Sequence, residues 1–396
     1  MRNMGFLSGS VTFQKFHVTN DPTDAFGSEH LEKLEQFRIG AFETNLYEKP
    51  NVGFTAGAHL FDTDFELEKN LLGDALHFGI RVDSCQIPGP IKKAWMKQEL
   101  APLMVDNPGA RPSKAVRDEA KEAVEARCAD EADKGNFKKM NETSILWDSA
   151  SETIYVGSTS EKNNDLCLGL LEQAFEIELA QHTPSTAIES FAHENNSVAE
   201  LHQIQPTCFI PELGVPPMVW WNGESENYDY VGNEFLLWLW WNFEIQSGSI
   251  PLADESVIDG FFARSLNLDC PFGESGKESI SSDSPVVLPE ASLAIQMGKL
   301  PRKAGLTLVR DGMQYDFSLQ AESFSIGSAK IKELSESAEP PTDEERIEWI
   351  RSLSDTTESL FDEFCGRRLG GDWEAEVKKM TKWLLSDTNV TRKRAA

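Results

Sequence analysis

The stretch FLLWLWWNFE, residues 235–244, constrains the fold more than any other part of the chain. Its first seven residues are all large and apolar, and a run of that density has to be removed from water. The run is too short to cross a membrane, which takes about 20 apolar residues in a helix. The tryptophans could instead form an exposed platform on which the bases of single-stranded nucleic acid stack. The density of the run favours the core of a folded domain, and we predict that it is buried.

Other segments show the periodicities of both strands and helices. Residues 76–83, LHFGIRVD, alternate between apolar and polar positions and predict a half-buried strand. Residues 306–310 and 313–319 predict neighbouring antiparallel strands, because Asp311 and Gly312 between them favour a tight hairpin turn. The sequence is therefore that of an α+β protein with antiparallel sheets and flanking helices. Helices are predicted over residues 110–134, 165–179, 288–300, 346–369 and 372–385, and loops over 181–230.

A length of 396 residues predicts more than one domain. We expect an N-terminal α+β region over residues 1–180, a second α+β region with a Trp-rich core over 181–335, and a C-terminal helical region over 336–396. The C-terminal region is a candidate dimer contact. The first residues lack the apolar segment of a signal peptide, and no long apolar run predicts a membrane partner. The six cysteines are scattered without close pairs, which suits reduced thiols in a cytoplasm.

Charge is spread unevenly along the chain. The formal net charge is −28, which argues against a simple basic nucleic-acid binder. Residues 88–140, however, contain eleven Lys or Arg and nine Asp or Glu, so this segment is +2 and the rest of the chain is −30. Acids lie three or four residues from many of these bases, so a solvated helix face laced with ion pairs is the simpler interpretation. A basic surface for an anionic partner is the alternative.

The sequence GNFKK, residues 135–139, places a phenylalanine beside two lysines in a predicted turn. Two roles are open for Phe137. It could tuck under the turn and staple the neighbouring elements together. It could instead act as an apolar wedge that inserts at a DNA base step while Lys138 and Lys139 hold phosphates.

No pattern of residues indicates catalysis, a metal or a cofactor. The stretch FGESGKES, residues 272–279, fails as a phosphate-binding loop, because the required glycine is replaced by Pro271 and the required Ser or Thr by Glu278. His193, Glu194 and His202 do not have the spacing of a metal-binding motif. We therefore predict a protein that is not an enzyme, with no catalytic residues, cofactor or metal ligands.

Several quoted stretches form a collinear series. In their order they resemble the recombination-associated protein RdgC family, over about residues 52–180 and 231–335. Residues 1–50 match poorly, and the chain is longer than typical members. The matching stretches are GFTAGAHLF, LHFGIRVD, IPGPIKKAWMKQEL, RPSKAVRDEAKE, NFKKMNETSILWD, TIYVGSTS, DLCLGLLEQAFEIEL, GNEFLLWLWWNFE, LPEASLAIQMGK, LTLVR and MQYDFSL.

The resemblance implies an α+β protomer of several subdomains, horseshoe-shaped, that closes with a second copy into a ring. Such a homodimer encloses duplex DNA without sequence preference and restrains strand exchange by RecA. It implies a cytoplasmic, nucleoid-associated protein whose partners are double-stranded DNA, itself and, indirectly, RecA filaments. A divergent member that has lost DNA binding and serves as an acidic interaction factor or DNA mimic is the alternative.

The resemblance also implies a set of DNA-binding residues. Phe137 matches the phenylalanine of a DNA-contacting finger in the family. Family members carry paired lysines ahead of the helix that ends near Met297, where SDSPVVLPEAS has no base, and Lys299, Arg302 and Lys303 would substitute. The expected DNA-binding residues are Lys92, Lys93, Arg111, Lys114, Arg117, Lys121, Lys134, Phe137, Lys138 and Lys139.

Overall fold

The computed structural model describes residues 5–20, 25–42, 45–105, 111–220, 227–285, 289–335 and 340–386. They form two compact units, each assembled from separate stretches of chain. The first unit comprises the described residues of Met1–Thr19, Ser151–Glu161 and Leu179–Ala396, and the second those of Asn20–Ala150 and Lys162–Glu178.

Strands and helices occur in both units. The strands are β1 Val11–Val18, β2 Asn51–Thr55, β3 Leu71–Leu72, β4 Ala75–Cys85, β5 Lys138–Asp148, β6 Thr153–Val156, β7 Leu179–Gln181, β8 Ser249–Pro251, β9 Val257–Asp269, β10 Glu278–Pro285, β11 Leu300–Arg310, β12 Met313–Gln320 and β13 Ile326–Glu333. The helices are α1 Ser28–Gln36, α2 Leu67–Asn70, α3 Gly89–Leu103, α4 Lys114–Asp133, α5 Glu161–Phe175, α6 Pro184–Glu194, α7 Val198–Leu201, α8 Val231–Ile245, α9 Pro289–Gln296, α10 Asp343–Leu369 and α11 Trp373–Leu384. The mixed α+β class is thus confirmed, as is the antiparallel pairing.

The first unit is built on an antiparallel sheet with the order β10-β9-β11-β12-β13-β1-β6. Two short strands extend it, β7 against β1 and β8 against β9. The hairpin between β11 and β12 turns at Asp311 and Gly312, whose φ angles of 50° and 79° suit a tight turn of two left-handed residues. The predicted hairpin at this position is confirmed.

The Trp-rich run forms most of α8 and lies in the core of the first unit. Trp238, Trp240 and Trp241 are only 2%, 1% and 4% exposed, which confirms the predicted burial and excludes a stacking platform at these side chains. Phe235 packs edge-on against Phe361 of α10, with ring centroids 5.2 Å apart. From Val231 to Trp241 the helix is buried on all sides because sheet and helices both cover it, as its largely apolar surface requires.

The C-terminal helices complete the same core. Thr342 caps α10, accepting a hydrogen bond from the backbone N–H of Glu345, whose own carboxylate accepts the backbone N–H of Thr342. Phe361 and Phe364 of α10 and Trp373 and Trp383 of α11 are all buried within the unit. These four aromatic side chains are therefore not available for the candidate dimer contact, which would have to use exposed residues of the region. Part of the predicted segment, 336–339 and 387–396, lies outside the described residues.

The expectation of loops over residues 181–230 is wrong for its first part, since α6 and α7 lie there. Thr183 accepts the backbone N–H of Thr186 and so caps α6, and Pro184 occupies the first helical position, where it needs no donor. The polar sequence concealed the helix because its buried face is narrow, with Ile188 and Ala192 at its centre.

The second unit contains an antiparallel sheet in which β4 lies between β2 and β5, with β3 beside β4. The predicted strand at 76–83 is present, but it is buried along both faces rather than half-buried. Its charged residues Arg81 and Asp83 tolerate burial because they are paired with each other. Arg81 donates Nε and Nη2 to the two carboxylate oxygens of Asp83, at 2.7 and 2.8 Å. His77 stays neutral, since burial lowers its pKa to about 4.

None of the helices in the described ranges combines the length and the apolar character that crossing a membrane requires.

Candidate functional site

Helices α3 and α4 of the second unit carry most of the predicted DNA-binding residues. Ser113 caps α4 by accepting the backbone N–H of Val116 at 3.3 Å. The buried residues of α4 recur every four positions, at Ala120, Val124, Cys128 and Ala132, which gives the helix one apolar stripe and leaves the other faces to solvent. Val124 and Cys128 pack with the buried Trp95 of α3, and this small cluster holds the two helices together.

Phe137 stands where α4 ends and β5 begins. Its φ angle of 59° is unusual for a bulky residue, and it is half-buried against the cluster of Trp95, Val124 and Cys128. Its ring lies 6.3 Å from that of Trp95, and its carbonyl accepts the backbone N–H of Gln86 at 3.0 Å. These are the contacts expected of a staple. Insertion of Phe137 into DNA stays a prediction.

The two lysines after Phe137 have different surroundings. Lys138 Nζ lies 2.9 Å from a carboxylate oxygen of Asp83, the acid that also binds Arg81. Its charge is therefore neutralised by a buried carboxylate. Lys139, the next residue of β5, is exposed, and it makes no ion pair with any residue that the structure describes.

The cations of α4 also fall into two groups. Lys134 pairs with Asp130 at 2.5 Å, and this hydrogen bond raises the pKa of the lysine. Lys121 approaches Glu125 to 3.6 Å. In contrast, Arg111, Lys114 and Arg117 are exposed and have no acidic partner within the described ranges. Arg117 donates Nε to the carbonyl of Pro112 at 3.2 Å, which leaves its terminal nitrogens available.

On α3, Lys92 and Lys93 are both exposed. Lys92 Nζ lies 5.7 Å from the ring centre of Tyr47, a cation–π contact that leaves the charge accessible. No ion pair of Lys93 is found among the described residues. The ten predicted residues thus lie on α3, in the segment just before α4, on α4, in the turn after it and at the start of β5. Those without an acidic partner in this part of the chain are Lys92, Lys93, Arg111, Lys114, Arg117 and Lys139.

Two of the three proposed substitutes for the missing lysines are occupied. Lys299 is buried and pairs with Glu278 at 2.6 Å. Arg302 pairs with Glu322 at 2.6 Å and lies over the ring of Trp220. Lys303, on β11, is half-buried and has no acidic partner among the described residues. Of the three, only Lys303 has a charge available for an anion.

A polar cavity in the first unit was missed from the sequence. It has a volume of about 270 Å³ and lies among β1, α6, α8 and α10. Lys15 Nζ donates to Ser354 Oγ at 3.0 Å and forms an ion pair with Glu358. His17 Nε2 and His182 Nδ1 share a hydrogen bond of 3.0 Å. The one signal in the sequence is that Lys15 and His17 point to the same face of a strand, because they are two residues apart.

Charges in the cavity perturb one another. Burial alone would raise the pKa of Glu358, but the Lys15 ammonium and the Ser354 hydroxyl hold it below its usual value. Desolvation by the surrounding protein, together with the negative charges of Glu358 and Glu194, raises the pKa of Asp362 to about 6, although the residue is exposed to solvent on one side. Burial and the nearby Lys15 lower the pKa of His182, so this imidazole is neutral near pH 7.

A metal has no clear place in this arrangement. Within the described part of the chain, no group of three or more His, Cys, Asp or Glu residues has the geometry to hold an ion.

Neither a protein-family model nor a curated protein sequence matches the chain.

Proposed function

We propose that this protein binds duplex DNA without sequence preference through a cationic surface of its second unit, defined by Lys92, Lys93, Arg111, Lys114, Arg117 and Lys139. The observation that carries the proposal is that these cations lie on two packed helices, in the segment just before the second helix and on the adjoining strand, free of acidic partners in the described part of the chain.

The chemistry of the surface suits phosphates rather than bases. All six residues are long, exposed cations, and five of them lie on helix faces or at a strand end. Lys and Arg in such positions neutralise phosphates and release counterions, and each phosphate contact steepens the salt dependence of log K by about 0.9. Binding through this surface is therefore expected to be indifferent to sequence and sensitive to salt.

We further propose that the protein acts as a homodimeric, RdgC-like ring that restrains RecA-type strand exchange. The support is the collinear resemblance of segments such as IPGPIKKAWMKQEL and GNEFLLWLWWNFE to that family. A closed ring would keep the acidic outer surface away from DNA. It would also slow dissociation of the DNA without new contacts. Its two-fold symmetry requires a self-complementary patch on each protomer.

Paired variants test the proposal. Replacing Lys93 and Lys139 with alanine removes two unpaired charges of the cationic surface. The control replaces Lys378 and Lys379, exposed lysines of α11 in the other unit, and changes the net charge equally. We expect the first double variant to bind a random-sequence duplex at least about tenfold more weakly than the control in low salt. Equal affinity of the two variants for the duplex would show that the cationic surface does not bind DNA.

A second function has an observation in its favour. Lys121, Lys134 and Lys138 each lie within ion-pair distance of an acid, which is the arrangement of a solvated, charge-laced face. An acidic factor that binds proteins, or that mimics DNA, would need no more than this. Absence of duplex binding by the unaltered protein at low salt would favour that function.

A further inference from the structure

The polar cavity of the first unit has more negative than positive charge. Its lining contains three carboxylates, those of Glu194, Glu358 and Asp362, and one ammonium, that of Lys15. Lys15 is already bound to Glu358 and Ser354. Glu194 and Asp362 form no ion pair with a cation among the described residues, and the charge of Glu194 disfavours the ionised form of Asp362. A cation that entered the cavity would relieve this repulsion.

A series of hydrogen bonds from Thr153 through His17 to His182 indicates which nitrogen of each histidine carries the proton. Thr153 donates its hydroxyl proton to the carbonyl of Ser151 at 3.0 Å. With that proton donated to the carbonyl of Ser151, its oxygen, 3.2 Å from His17 Nδ1, is placed to accept the proton of that nitrogen. Neutral His17 then presents Nε2 as an acceptor, so His182 Nδ1 carries the proton of the bond between them.

This chain of bonds ends at an acceptor that has no protein partner among the described residues. With its proton on Nδ1, neutral His182 has a lone pair on Nε2. The residue is only 8% exposed and lines the cavity, and no described residue bonds to Nε2. An acceptor that has no protein partner can take a hydrogen bond from a donor that enters the cavity.

The remaining wall of the cavity is aromatic. Phe191, Phe235, Phe324 and Phe361 line it, and the rings of Phe324 and Phe361 pack edge-on at 4.7 Å. Rings of this kind accommodate an apolar body and attract a cation to their faces. A volume of about 270 Å³ has room for a molecule the size of a small arylalkylamine.

We propose that this cavity binds a small primary amine: its ammonium group between Glu194, Asp362 and the Nε2 acceptor of His182, and its apolar body against the phenylalanines. The occupant is an organic ammonium rather than an anion, because the one lysine of the lining is committed to Glu358. It is a primary amine rather than a metal ion, because the walls are apolar and no metal-binding group is found among the described residues. The proposal is independent of DNA binding by the second unit.

Calorimetry with three matched probes tests the charge requirement. Phenethylamine carries the ammonium on an apolar body, 2-phenylethanol replaces it with a neutral hydroxyl, and phenylacetate replaces it with an anion. We expect binding of phenethylamine at pH 7.5 at least about tenfold tighter than that of 2-phenylethanol, and no binding of phenylacetate. Equal binding of the amine and the alcohol, binding of phenylacetate, or no binding of any probe would each overturn the proposal.

Variants locate the site. Asp362→Asn and Glu194→Gln keep the shape of the side chain and remove the charge. Each is expected to weaken phenethylamine binding about tenfold. Glu344→Gln, an exposed acid in the first turn of the same helix α10, is the control and should leave the affinity unchanged. If Asp362→Asn did not fold, Glu194→Gln, at an exposed position, could still be compared with the control. Binding unaffected by both changes would show that the amine binds elsewhere and would contradict the assignment.

Discussion

Phe137 packs edge-on against Trp95, with the two ring planes at 73° and their centroids 6.3 Å apart. The contact joins the turn before β5 to helix α3 and adds to the cluster that fixes α3 on α4. The lysine next to it, Lys138, turns to Asp83, whereas Lys139 faces solvent. The turn thus combines a structural phenylalanine with one committed and one available charge.

Phe137→Ala should lower the free energy of unfolding by about 1–3 kcal/mol, because a half-buried aromatic ring loses its contacts with Trp95 and leaves a gap. Urea unfolding followed by tryptophan fluorescence measures the change. Phe137→Leu, which keeps an apolar side chain, is the control and should lose less. Full stability of the alanine variant combined with a loss of DNA bending would support the wedge instead.

Lys139→Ala and Lys138→Ala should differ in their effect on DNA binding. Lys139 is unpaired among the described residues, so its removal should flatten the slope of log K against log salt by about 0.9. Lys138 is bound to Asp83, and its removal should change the slope much less. Fluorescence anisotropy over a salt series gives both slopes. Equal slopes for the two variants would mean that the ion pair of Lys138 opens on DNA.

Asp362→Asn should raise the melting temperature at pH 7.5. Burial and the charges of Glu358, Glu194 and Asp355 raise the pKa of Asp362 to about 6, against 3.8 for an ordinary aspartate. The folded protein therefore holds this proton more tightly than the unfolded chain, and stability falls as pH rises between about 4 and 6. Asparagine cannot ionise and so avoids that loss. The melting temperatures of the variant and the unaltered protein should therefore converge at pH 4. A melting temperature that is lower at pH 7.5 in the variant would contradict this.

Glu234→Gln should destabilise the first unit strongly. Glu234 is fully buried in α8 and accepts Nε of the buried Arg368 at 2.7 Å and the backbone N–H of Thr207 at 2.7 Å. Loss of the carboxylate leaves a buried guanidinium without its counter-charge, which costs about 3–5 kcal/mol. Chemical unfolding measures the loss. A shift below 1 kcal/mol would show that Arg368 finds water or its other acceptor, the carbonyl of Gln205.

Periodicity and turn chemistry predicted the local elements well. The run around Trp240 had to be buried, Asp311-Gly312 had to turn, and the helix predicted over residues 110–134 is present as α4, Lys114–Asp133. Burial of β4 was underestimated, because the pairing of Arg81 with Asp83 makes polar positions compatible with an interior. The unpaired cations also lay in the predicted segment, but which of them meet an acid depends on distances that a linear sequence does not contain.

The cavity was beyond sequence reasoning for a different reason. His17, His182 and Asp362 come from segments more than a hundred residues apart, and no spacing relates them. Sheet pairing brings the first two together, since the backbone N–H of His182 donates to the carbonyl of Lys15 where β7 adjoins β1. Only the alternation of Lys15 and His17 in β1 hinted at a shared polar face.

The most direct test of the proposed function is the affinity of the unaltered protein for a random-sequence duplex, measured by fluorescence anisotropy across a salt series, with the oligomeric mass determined on the same sample. We predict binding by a dimer, equal for unrelated sequences, with a slope of log K against log salt that corresponds to several phosphate contacts. Absence of binding at low salt, or binding that does not respond to salt, would contradict the account.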